Sequence, residues 1–557
     1  MIPVRYHAGI SGFAGPASGP VVELSRPFER EQRTQVDSSL SFETIVKQLM
    51  PRLCPYIDHV RFEAPGAPQV YLNRGNAQWH KTPRDEGLLS LEMEMTAILD
   101  IVETDFPLGG WRRLVLPSQD LGPQKWQGVC ELLKSGVEAA VSSKHPQEQP
   151  KLLGNLLTEL HNTAQQRPFV LDVSALPDCF ASMPADVRET FFGFTLPVLA
   201  KTVASIDSFF PEAPELLGHR RAASVHLRGD QCFALLSLAF FGLFPHQPLR
   251  GMPSFTFSGL FRRENNWPQN HQKFVCLMHY LNVTAQEMQA EELSETHPQN
   301  RVVTFNRTSR PETKGRAEDL QWWLHTLKDC PLTKVELRGD RESITGAKDA
   351  LEADFAARIL GGGVFGQGCV QEEIRFTVAP ELTCARALMA GLQDFESAVL
   401  MGARTYSLYS GYRHSFRFEG GCPNPSTSDL VKIPMPNGTD KMQLPIAIVA
   451  IDAINYSHRD ERNQYREGDI LRELLKVSAG VCPRDPAGMQ KGTQHEGRLP
   501  FATGNWWAGA FKGDPQLKSL IQWVACSEAR RDVQYFPFGD RRMTGFADVL
   551  SSIERSG

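Results

Sequence analysis

The sequence predicts an α/β domain in its C-terminal half, preceded by a mainly α-helical region. Before about residue 300, apolar residues recur at spacings of three and four, as at Leu88, Leu91, Met95, Leu99 and Val102, which indicates helices with one buried face. After about residue 300, short β-branched runs alternate with helical windows, a pattern typical of a layered α/β domain. With 557 residues, the chain is long enough for more than one hydrophobic core.

The regions follow in order along the chain. Residues 1–35 are rich in glycine and proline and show little apolar periodicity, so we predict loop, extended or flexible chain there. The windows 125–143 and 186–206 repeat the helical spacing. We therefore place a mainly helical accessory region at 36–300 and the α/β domain at 301–557.

Within the α/β domain, five short β-branched or apolar runs are the predicted strands: Val302–Phe305, Lys334–Leu337, Ala398–Met401, Ile446–Ile451 and Val533–Phe538. Helical windows lie at 380–392 and 467–479. Asp514 is a predicted N-cap of a helix with a core-facing stripe from Leu517 to Val524.

Composition excludes several classes of protein. The 59 Lys and Arg residues stand against 64 Asp and Glu residues, so no overall positive field favours direct DNA binding, and a polyanionic ligand must be held locally. The eleven cysteines form no C-x-x-C pair, which argues against a zinc site or a disulfide framework and favours a reducing, intracellular compartment. Phe233–Phe244, the longest apolar stretch, is too short to span a bilayer, so we expect no membrane association.

A glycine-rich segment carries the first chemical signal. Five glycines lie within eight residues: Gly361, Gly362, Gly363, Gly366 and Gly368. Without Cβ atoms, such a backbone can approach a ligand closely and aim successive N–H groups at phosphate oxygens. Two alternatives remain open at this point: a turn that only links two elements, and a dinucleotide-binding G-x-G-x-x-G loop, although the following strand-like run ends without the acidic residue that such a domain needs.

Two adjacent carboxylates, Glu372 and Glu373, follow the glycines. Because neighbouring side chains diverge by about 100° on a helix, these two do not readily flank one glycosidic bond as an acid and a nucleophile. One of them could still act as both acid and base, because burial and nearby negative charge raise the pKa of a carboxyl group. The alternative is a solvated helix face.

Gly361-Gly362-Gly363 followed by Gln371-Glu372-Glu373 resembles the signature of the poly(ADP-ribose) glycohydrolase family. The resemblance extends over roughly residues 220–545, in the family's order. The further segments that carry it are Asp354-Phe355-Ala356, Tyr406–Tyr412, Ile448–Ala453, Ala502–Phe511 and Phe538-Gly539-Asp540, with the helix around Gln231 upstream.

The resemblance implies a macrodomain-like three-layer fold, with a mixed sheet between helices, and an enzyme that needs no metal or organic cofactor. It implies that Glu373 is the general acid/base, that Glu372 orients the sugar, and that Asp354 supports the catalytic loop and ribose. The implied substrate-binding residues are Ile344, Gly361, Gly362, Gly363, Gln371, Tyr412, Asn505, Gly509, Ala510 and Phe511.

The implied activity is hydrolysis of the ribose–ribose O-glycosidic bonds of poly(ADP-ribose), with release of ADP-ribose. A non-catalytic reader of ADP-ribose and a hydrolase of a terminal protein–ADP-ribose bond are the alternatives. The resemblance also implies that poly(ADP-ribose) and ADP-ribosylated proteins are the partners, that the protein is a monomer, and that it acts in the nucleus or cytoplasm, in the response to DNA damage. Departures from the family are Ala357, Trp507 and the stretch Ser343–Thr345 beside the expected adenine site.

Overall fold

The computed structural model describes most of the chain from residue 113 onwards and five strands nearer the N-terminus. From residue 113, the described ranges are 113–165, 171–219, 222–249, 251–289, 297–310, 325, 330–435, 438–482 and 498–556. The chain divides into two compact units, Met1–Arg113 with Gln247–Gly251 and Leu114–His246 with Met252–Gly557.

The first unit contains a five-stranded sheet. Its strands are β1 (Ile2–Ala8), β2 (Gln32–Val36), β3 (His59–Glu63), β4 (Val70–Asn73) and β5 (Met93–Ile98). They are arranged in the order β2-β1-β5-β3-β4, with β1 parallel to β5 and the other neighbours antiparallel. Strand β1 falls within 1–35, where the sequence predicts loop, extended or flexible chain.

The helix predicted around Leu88–Val102 is wrong, because Met93–Ile98 is a strand. This run also alternates apolar and polar residues, so it fits a period of two as well as a helical period. Pairing with β1 on one side and β3 on the other makes this segment a strand and not a helix. The sequence of the segment alone does not reveal that pairing. The predicted boundaries at 35 and 300 stay predictions.

The second unit begins with helices. They are α1 (Pro117–Leu121), α2 (Pro123–Ser142), α3 (Gln149–Gln165), α4 (Leu176–Ala181), α5 (Ala185–Thr190), α6 (Leu196–Ala204), α7 (Ile206–Phe209), α8 (Gly229–Phe241) and α9 (Pro268–Glu287). The helix predicted at 125–143 is confirmed as α2. The window 186–206 is also helical, with a π-helical turn at Phe191–Thr195 between α5 and α6.

An eight-stranded mixed sheet forms the centre of this unit, as the resemblance implies. Its strands are β6 (Ala223–Arg228), β7 (Val302–Ser309), β10 (Glu396–Met401), β15 (Ala447–Ala450), β9 (Leu351–Asp354), β16 (Phe501–Gly504), β17 (Val533–Phe536) and β8 (Val335–Leu337), in spatial order. All five predicted strand runs lie in this sheet. The strands from β15 to β8 are parallel, and β6, β7 and β10 are antiparallel to their neighbours.

Five further helices and two hairpins complete the unit. They are the helices α10 (Gln371–Val378), α11 (Ala385–Leu388), α12 (Glu467–Val481), α13 (Pro515–Glu528) and α14 (Phe546–Ser556), and the hairpins β11 (Ser407–Ser410) with β12 (Arg417–Gly421) and β13 (Val431–Pro434) with β14 (Asp440–Gln443). The window 467–479 is confirmed as α12. The window 380–392 forms only a 3-10 turn at Pro380–Cys384 and the short α11.

Helices α12 and α13 pack against the sheet through a shared apolar core. Gly480 of α12 lies so close to the sheet that a Cβ atom there would come within 2.4 Å of Val449. Asp514 caps α13 as predicted, since its carboxylate accepts hydrogen bonds from the N–H groups of Gln516 and Leu517, both at 2.9 Å. This packing fixes the parallel strands beneath the site.

The direction of the parallel strands determines where a site can form. Strands β9, β16 and β17 end at Asp354, Gly504 and Phe536, so their carboxyl ends meet at one edge of the sheet. In open α/β sheets, ligands bind at this carboxyl edge. In the described part of the chain, no helix is both long and apolar enough to cross a membrane.

Candidate active site

The predicted catalytic residues come together at the carboxyl edge. Residues 355–370, here called the glycine loop, connect β9 to α10. Asp354 is the last residue of β9, and Glu372 and Glu373 lie in the first turn of α10. All three side chains are buried, at 0%, 1% and 7% relative exposure, which excludes the solvated-face interpretation of the Glu-Glu pair.

Glu373 is held by backbone N–H groups. Its Oε1 accepts a hydrogen bond from Gly363 at 2.9 Å, and its Oε2 accepts one from Val370 at 3.0 Å. The second bond closes a capping interaction at the start of α10. The side chain is thereby fixed between two positions of the glycine loop, of which Val370 is the N-cap residue of α10.

Glu372 points to a different part of the glycine loop. Its two oxygens accept hydrogen bonds from the N–H groups of Gly361 at 2.7 Å and Ala357 at 2.9 Å. Burial raises the pKa of Glu372 well above its ordinary value, and the nearby carboxyls of Asp354 and Glu373 raise it further. Glu372 is therefore an anchor of the glycine loop, and one of its carboxylate oxygens approaches the same glycine, Gly362, as Glu373 does.

Two glycines of the loop, Gly362 and Gly368, leave the space that these carboxyl groups occupy. Gly362 has φ +45°, and a Cβ atom there would come within 2.5 Å of Glu373 Oε1 and 2.7 Å of Glu372 Oε2. A Cβ atom on Gly368 would likewise lie 2.5 Å from Glu373 Oε1. Side chains at these positions would displace the acidic groups, so the loop is more than a linking turn.

The predicted phosphate contacts of Gly361, Gly362 and Gly363 need correction. Their N–H groups donate to Glu372, to the Ile359 carbonyl and to Glu373, respectively. These N–H groups are already paired, so they do not serve a phosphate. The sequence pattern shows that the backbone makes close contacts here, but it does not show with which group.

Asp354 lies beneath the two glutamates. Neither of its carboxyl oxygens accepts a hydrogen bond from a described residue. Burial, followed by the charge of Glu373, raises its pKa to about 8, despite the opposing effect of Arg375. This shift favours the protonated form of Asp354.

Gln371 and Asn505 are placed at the site, but their side chains bind the protein's own backbone. The amide of Gln371 donates to Ala353 O and accepts from Phe355 N, both at 2.9 Å, which joins α10 to the end of β9. The amide of Asn505 donates to Pro537 O at 2.8 Å and accepts from the Tyr535 hydroxyl at 2.9 Å. In this structure, both residues position the loops around the site.

The segment after β16 provides unoccupied donors. Among the described residues, none accepts a hydrogen bond from the N–H groups of Gly509, Ala510 or Phe511, and Gly509 and Ala510 are exposed. The indole of Trp507 stacks on the ring of Phe511 with centroids 3.7 Å apart, and its Nε1 donates to Ala356 O at 3.0 Å. The N–H groups of residues 509–511 are thus better placed to bind phosphate oxygens than those of the triple glycine are.

Tyr412 lies at the mouth of the site. Its ring is half exposed, and the following residue, Arg413, donates its N–H to Cys369 O at the end of the glycine loop at 3.0 Å. This aromatic ring is therefore available to a ligand that approaches Glu373.

Ile344, the predicted adenine contact, is a core residue. Its side chain is 3% exposed and packs with Ala350, Ala502 and Phe536 beneath the sheet edge. An aliphatic side chain in a 3-10 turn next to the sheet gains more from this burial than from remaining at the surface. Any contact of residues 343–345 with a base must therefore come from other atoms of the turn.

Two residues at the site were missed by the sequence analysis. Phe538 is 46% exposed, has φ +52°, and its ring would lie 3.0 Å from a Cβ atom on Gly504. Such an exposed aromatic at the carboxyl edge is suited to stacking on a base. Lys273 of α9 is fully buried against the glycine loop; a lysine that opens the apolar run Phe274–Met278 was the signal available.

A separate cavity of about 510 Å³ lies elsewhere on the sheet. It is lined by Arg404, Cys422, Leu444 and Ile446, among others. Because Leu444 and Ile446 precede β15, which is parallel to β9, this cavity is at the amino edge, away from Asp354.

In the described part of the chain, no group of three or more His, Cys, Asp or Glu residues is arranged to hold a metal ion.

The mixed sheet, the helices on both sides of it and the acidic site at its carboxyl edge define a macrodomain-type protein with the groups of a glycoside hydrolase. Two family models match the sequence. One, described as the macro domain fold of poly(ADP-ribose) glycohydrolase (PARG), matches residues 323–545, and one described as the PARG helical domain matches residues 183–307. Together they match more than half of the chain, which belongs to the poly(ADP-ribose) glycohydrolase family.

Individual relatives agree with this assignment. Poly(ADP-ribose) glycohydrolase 1 of Arabidopsis thaliana is 29% identical over 401 residues, covering 61% of this chain and 68% of that protein. Probable poly(ADP-ribose) glycohydrolase 2 of Arabidopsis thaliana is 24% identical, with 65% and 75% covered. Poly(ADP-ribose) glycohydrolase 1 of Caenorhabditis elegans is 29% identical, with 64% of this chain and 41% of that protein covered.

Proposed function

We propose that this protein hydrolyses the ribose–ribose O-glycosidic bonds of poly(ADP-ribose) and releases ADP-ribose, with Glu373 as the general acid/base. The observation that carries the proposal is the fixation of Glu373 between the N–H groups of Gly363 and Val370 at the carboxyl edge of the sheet. A carboxyl held in one orientation within reach of a bound sugar can transfer a proton in both directions. Family membership supplies the substrate class.

The first step is departure of the leaving ribose. Glu373 gives its proton to the departing 2′-oxygen while the bond between that oxygen and the anomeric carbon breaks, and the bonding electrons stay on the oxygen. Positive charge develops at the anomeric carbon, as in other glycoside hydrolyses. In the second step, Glu373 takes a proton from water as the water oxygen bonds to that carbon.

Among the residues that the structure describes, no second carboxylate is placed as a nucleophile. Glu372 is turned into the loop towards Ala357 and Gly361. Asp354 is fully buried, and burial raises its pKa, which favours its neutral form. The substrate's own diphosphate, held by the N–H groups of residues 509–511, is therefore the negative charge that stabilises the oxocarbenium-like transition state.

Incubation of the wild-type protein with labelled poly(ADP-ribose), followed by separation of products by chain length, tests the activity. The proposal expects ADP-ribose monomer to accumulate. Binding without any shortening would identify a reader instead. Release of intact polymer from a modified protein, without internal cleavage, would identify a hydrolase of the terminal protein bond.

The setting of the activity is also proposed. We infer that the protein acts as a monomer on the polymer and on ADP-ribosylated proteins, without direct DNA binding, in the nucleus or cytoplasm during the response to DNA damage. The net charge of −5 supports the absence of DNA binding. Light scattering, a DNA-binding titration and fluorescence microscopy of the tagged protein before and after DNA damage test these points.

A further inference from the structure

Lys273, on helix α9 of the helical region, is inserted into the glycine loop. Its side chain is fully buried. Its Nζ lies 2.5 Å from Gly368 O, 2.7 Å from Gly366 O and 3.0 Å from Val364 O, with Gly363 O further away at 3.4 Å. The three short contacts match the three N–H donors of an ammonium group.

The loop carbonyls take the place of the ammonium's water shell. Among the described residues, no carboxylate oxygen lies within 4 Å of Nζ. Burial lowers the pKa of Lys273 to about 8, and the thiol of Cys369 and the carboxylate of Glu373 oppose this shift. A buried cation is costly unless polar groups surround it, so these carbonyls must remain turned towards Nζ for the structure to be stable.

This requirement fixes the path of the glycine loop. Each peptide unit is planar and trans, so a carbonyl turned towards Nζ directs the N–H group of the same unit away from it. Four of the loop's peptide units are oriented in this way around one atom. The same stretch contains Gly363, whose N–H binds Glu373, and Gly368, which packs against the Glu373 side chain.

We propose that Lys273 is a positioning residue for hydrolysis: its ammonium gathers the glycine-loop carbonyls and thereby holds the loop that orients Glu373. This inference rests on the proposed function. It also gives the helical region a role, because α9 supplies a group that the catalytic loop needs. Lys273 does not touch the reacting atoms, and its effect is transmitted through Gly363 and Gly368.

The test compares Lys273→Met with Lys476→Met. Methionine keeps much of the side-chain volume and removes the charge and the donors. Lys476 of α12 is the matched control, because it is also buried, also has its pKa lowered to about 8, and pairs with Asp452 at 2.6 Å without touching the glycine loop. Both variants lose a buried ammonium, but only one loses the loop contacts.

For Lys273→Met we expect kcat on poly(ADP-ribose) to fall about 100-fold, the usual scale of loss when a catalytic group is displaced by about 1 Å. We expect KM to change much less, because other segments bind the substrate. Lys476→Met should keep the wild-type kcat at a temperature where it is folded. Hydrogen exchange should be faster at the Gly361 and Gly363 amides in Lys273→Met and unchanged in Lys476→Met.

Wild-type kcat in folded Lys273→Met, or an equal fall in kcat in both variants, would overturn the inference and leave the proposed function intact. If the wild-type protein does not cut the polymer, the proposed function fails. Amide exchange then still tests the inference, because an unchanged exchange rate at Gly363 in Lys273→Met would show that Lys273 does not hold the glycine loop. If Lys273→Met does not fold, Lys273→Gln is used in its place, because glutamine keeps two N–H donors for the loop carbonyls. The same fall in kcat and the same faster exchange are then expected, to a smaller extent.

Discussion

Trp507 stacks on Phe511, with ring centroids 3.7 Å apart and planes only 12° from parallel. The indole N–H also donates to Ala356 O, so this residue joins the segment 509–511 to the glycine loop. Trp507 adopts φ +52°, a conformation that glycine accepts more readily than tryptophan. Trp507 is one of the positions at which this sequence departs from the family pattern.

Trp507→Gly should therefore raise KM for the polymer by about 2- to 13-fold, since an aromatic pair contributes about 0.5–1.5 kcal/mol. We expect kcat to change little, because Glu373 keeps its partners. Steady-state kinetics on defined polymer lengths measure this. Trp507→Phe keeps a ring but loses the N–H, so its KM should lie between the values of the wild type and Trp507→Gly. A KM for Trp507→Gly equal to the wild-type value would contradict the role of the stack.

Gly362→Ala should lower kcat by at least about 100-fold. The new methyl group would collide with the carboxylates of Glu372 and Glu373, and the backbone would be held at φ +45°. Gly391→Ala is the matched control, because a Cβ atom there meets nothing closer than 3.5 Å. Similar kcat values for the two variants would show that the close approach at Gly362 is not needed for catalysis.

The raised pKa of Asp354 should make the stability of the fold depend on pH. Its folded-state pKa of about 8 lies above the unfolded value of about 3.9, so the folded state binds the extra proton between these values. This contribution to stability is complete below about pH 4 and is lost as the pH rises through 8. Asp354→Asn removes the titration and should lose less stability than the wild type between pH 5 and 8.

Urea unfolding at several pH values measures this difference. The comparison between the two proteins cancels the titration of other groups that behave alike in both. Parallel stability–pH curves for the wild type and Asp354→Asn would mean that Asp354 is ionised in the folded protein.

Arg375 and Glu352 form a buried ion pair that joins the catalytic helix to strand β9. The guanidinium lies 3.1 Å from the Glu352 carboxylate, and its Nη1 donates to Thr405 Oγ1 at 3.1 Å. Arg375→Met leaves the carboxylate buried without its cation, so we expect the free energy of unfolding to fall by about 3–5 kcal/mol. The double variant Arg375→Met, Glu352→Gln should recover part of the loss; no recovery would show that the charge is not the cause.

The sequence predicts the architecture well because its signals are local. The strand runs at Val302–Phe305 and Val533–Phe538, the helix 467–479 and the cap at Asp514 each depend on neighbouring residues. Met93–Ile98 shows the limit, since its six residues fit two periods and only pairing with distant strands decides between them.

The sequence predicts which residues belong to the site better than it predicts what those residues contact. Asp354, Glu372 and Glu373 do come together, but Ile344 is buried in the core and the N–H groups of the triple glycine bind carboxylates. Lys273 lies almost a hundred residues from the loop in sequence, so no local pattern connects them. Such contacts depend on the tertiary fold, which spacing along the chain does not encode.

The central claim is that Glu373 carries the proton transfer, and the most direct measurement compares wild type and Glu373→Gln on labelled poly(ADP-ribose). Glutamine keeps one oxygen that accepts the hydrogen bond from Gly363, turns its NH2 group towards the N–H of Val370, and supplies no acidic proton. We expect the variant to bind the polymer and ADP-ribose with affinity close to the wild type while kcat falls by at least about 1000-fold. Cleavage by folded Glu373→Gln at the wild-type rate would contradict the account and assign the acid/base role to another group.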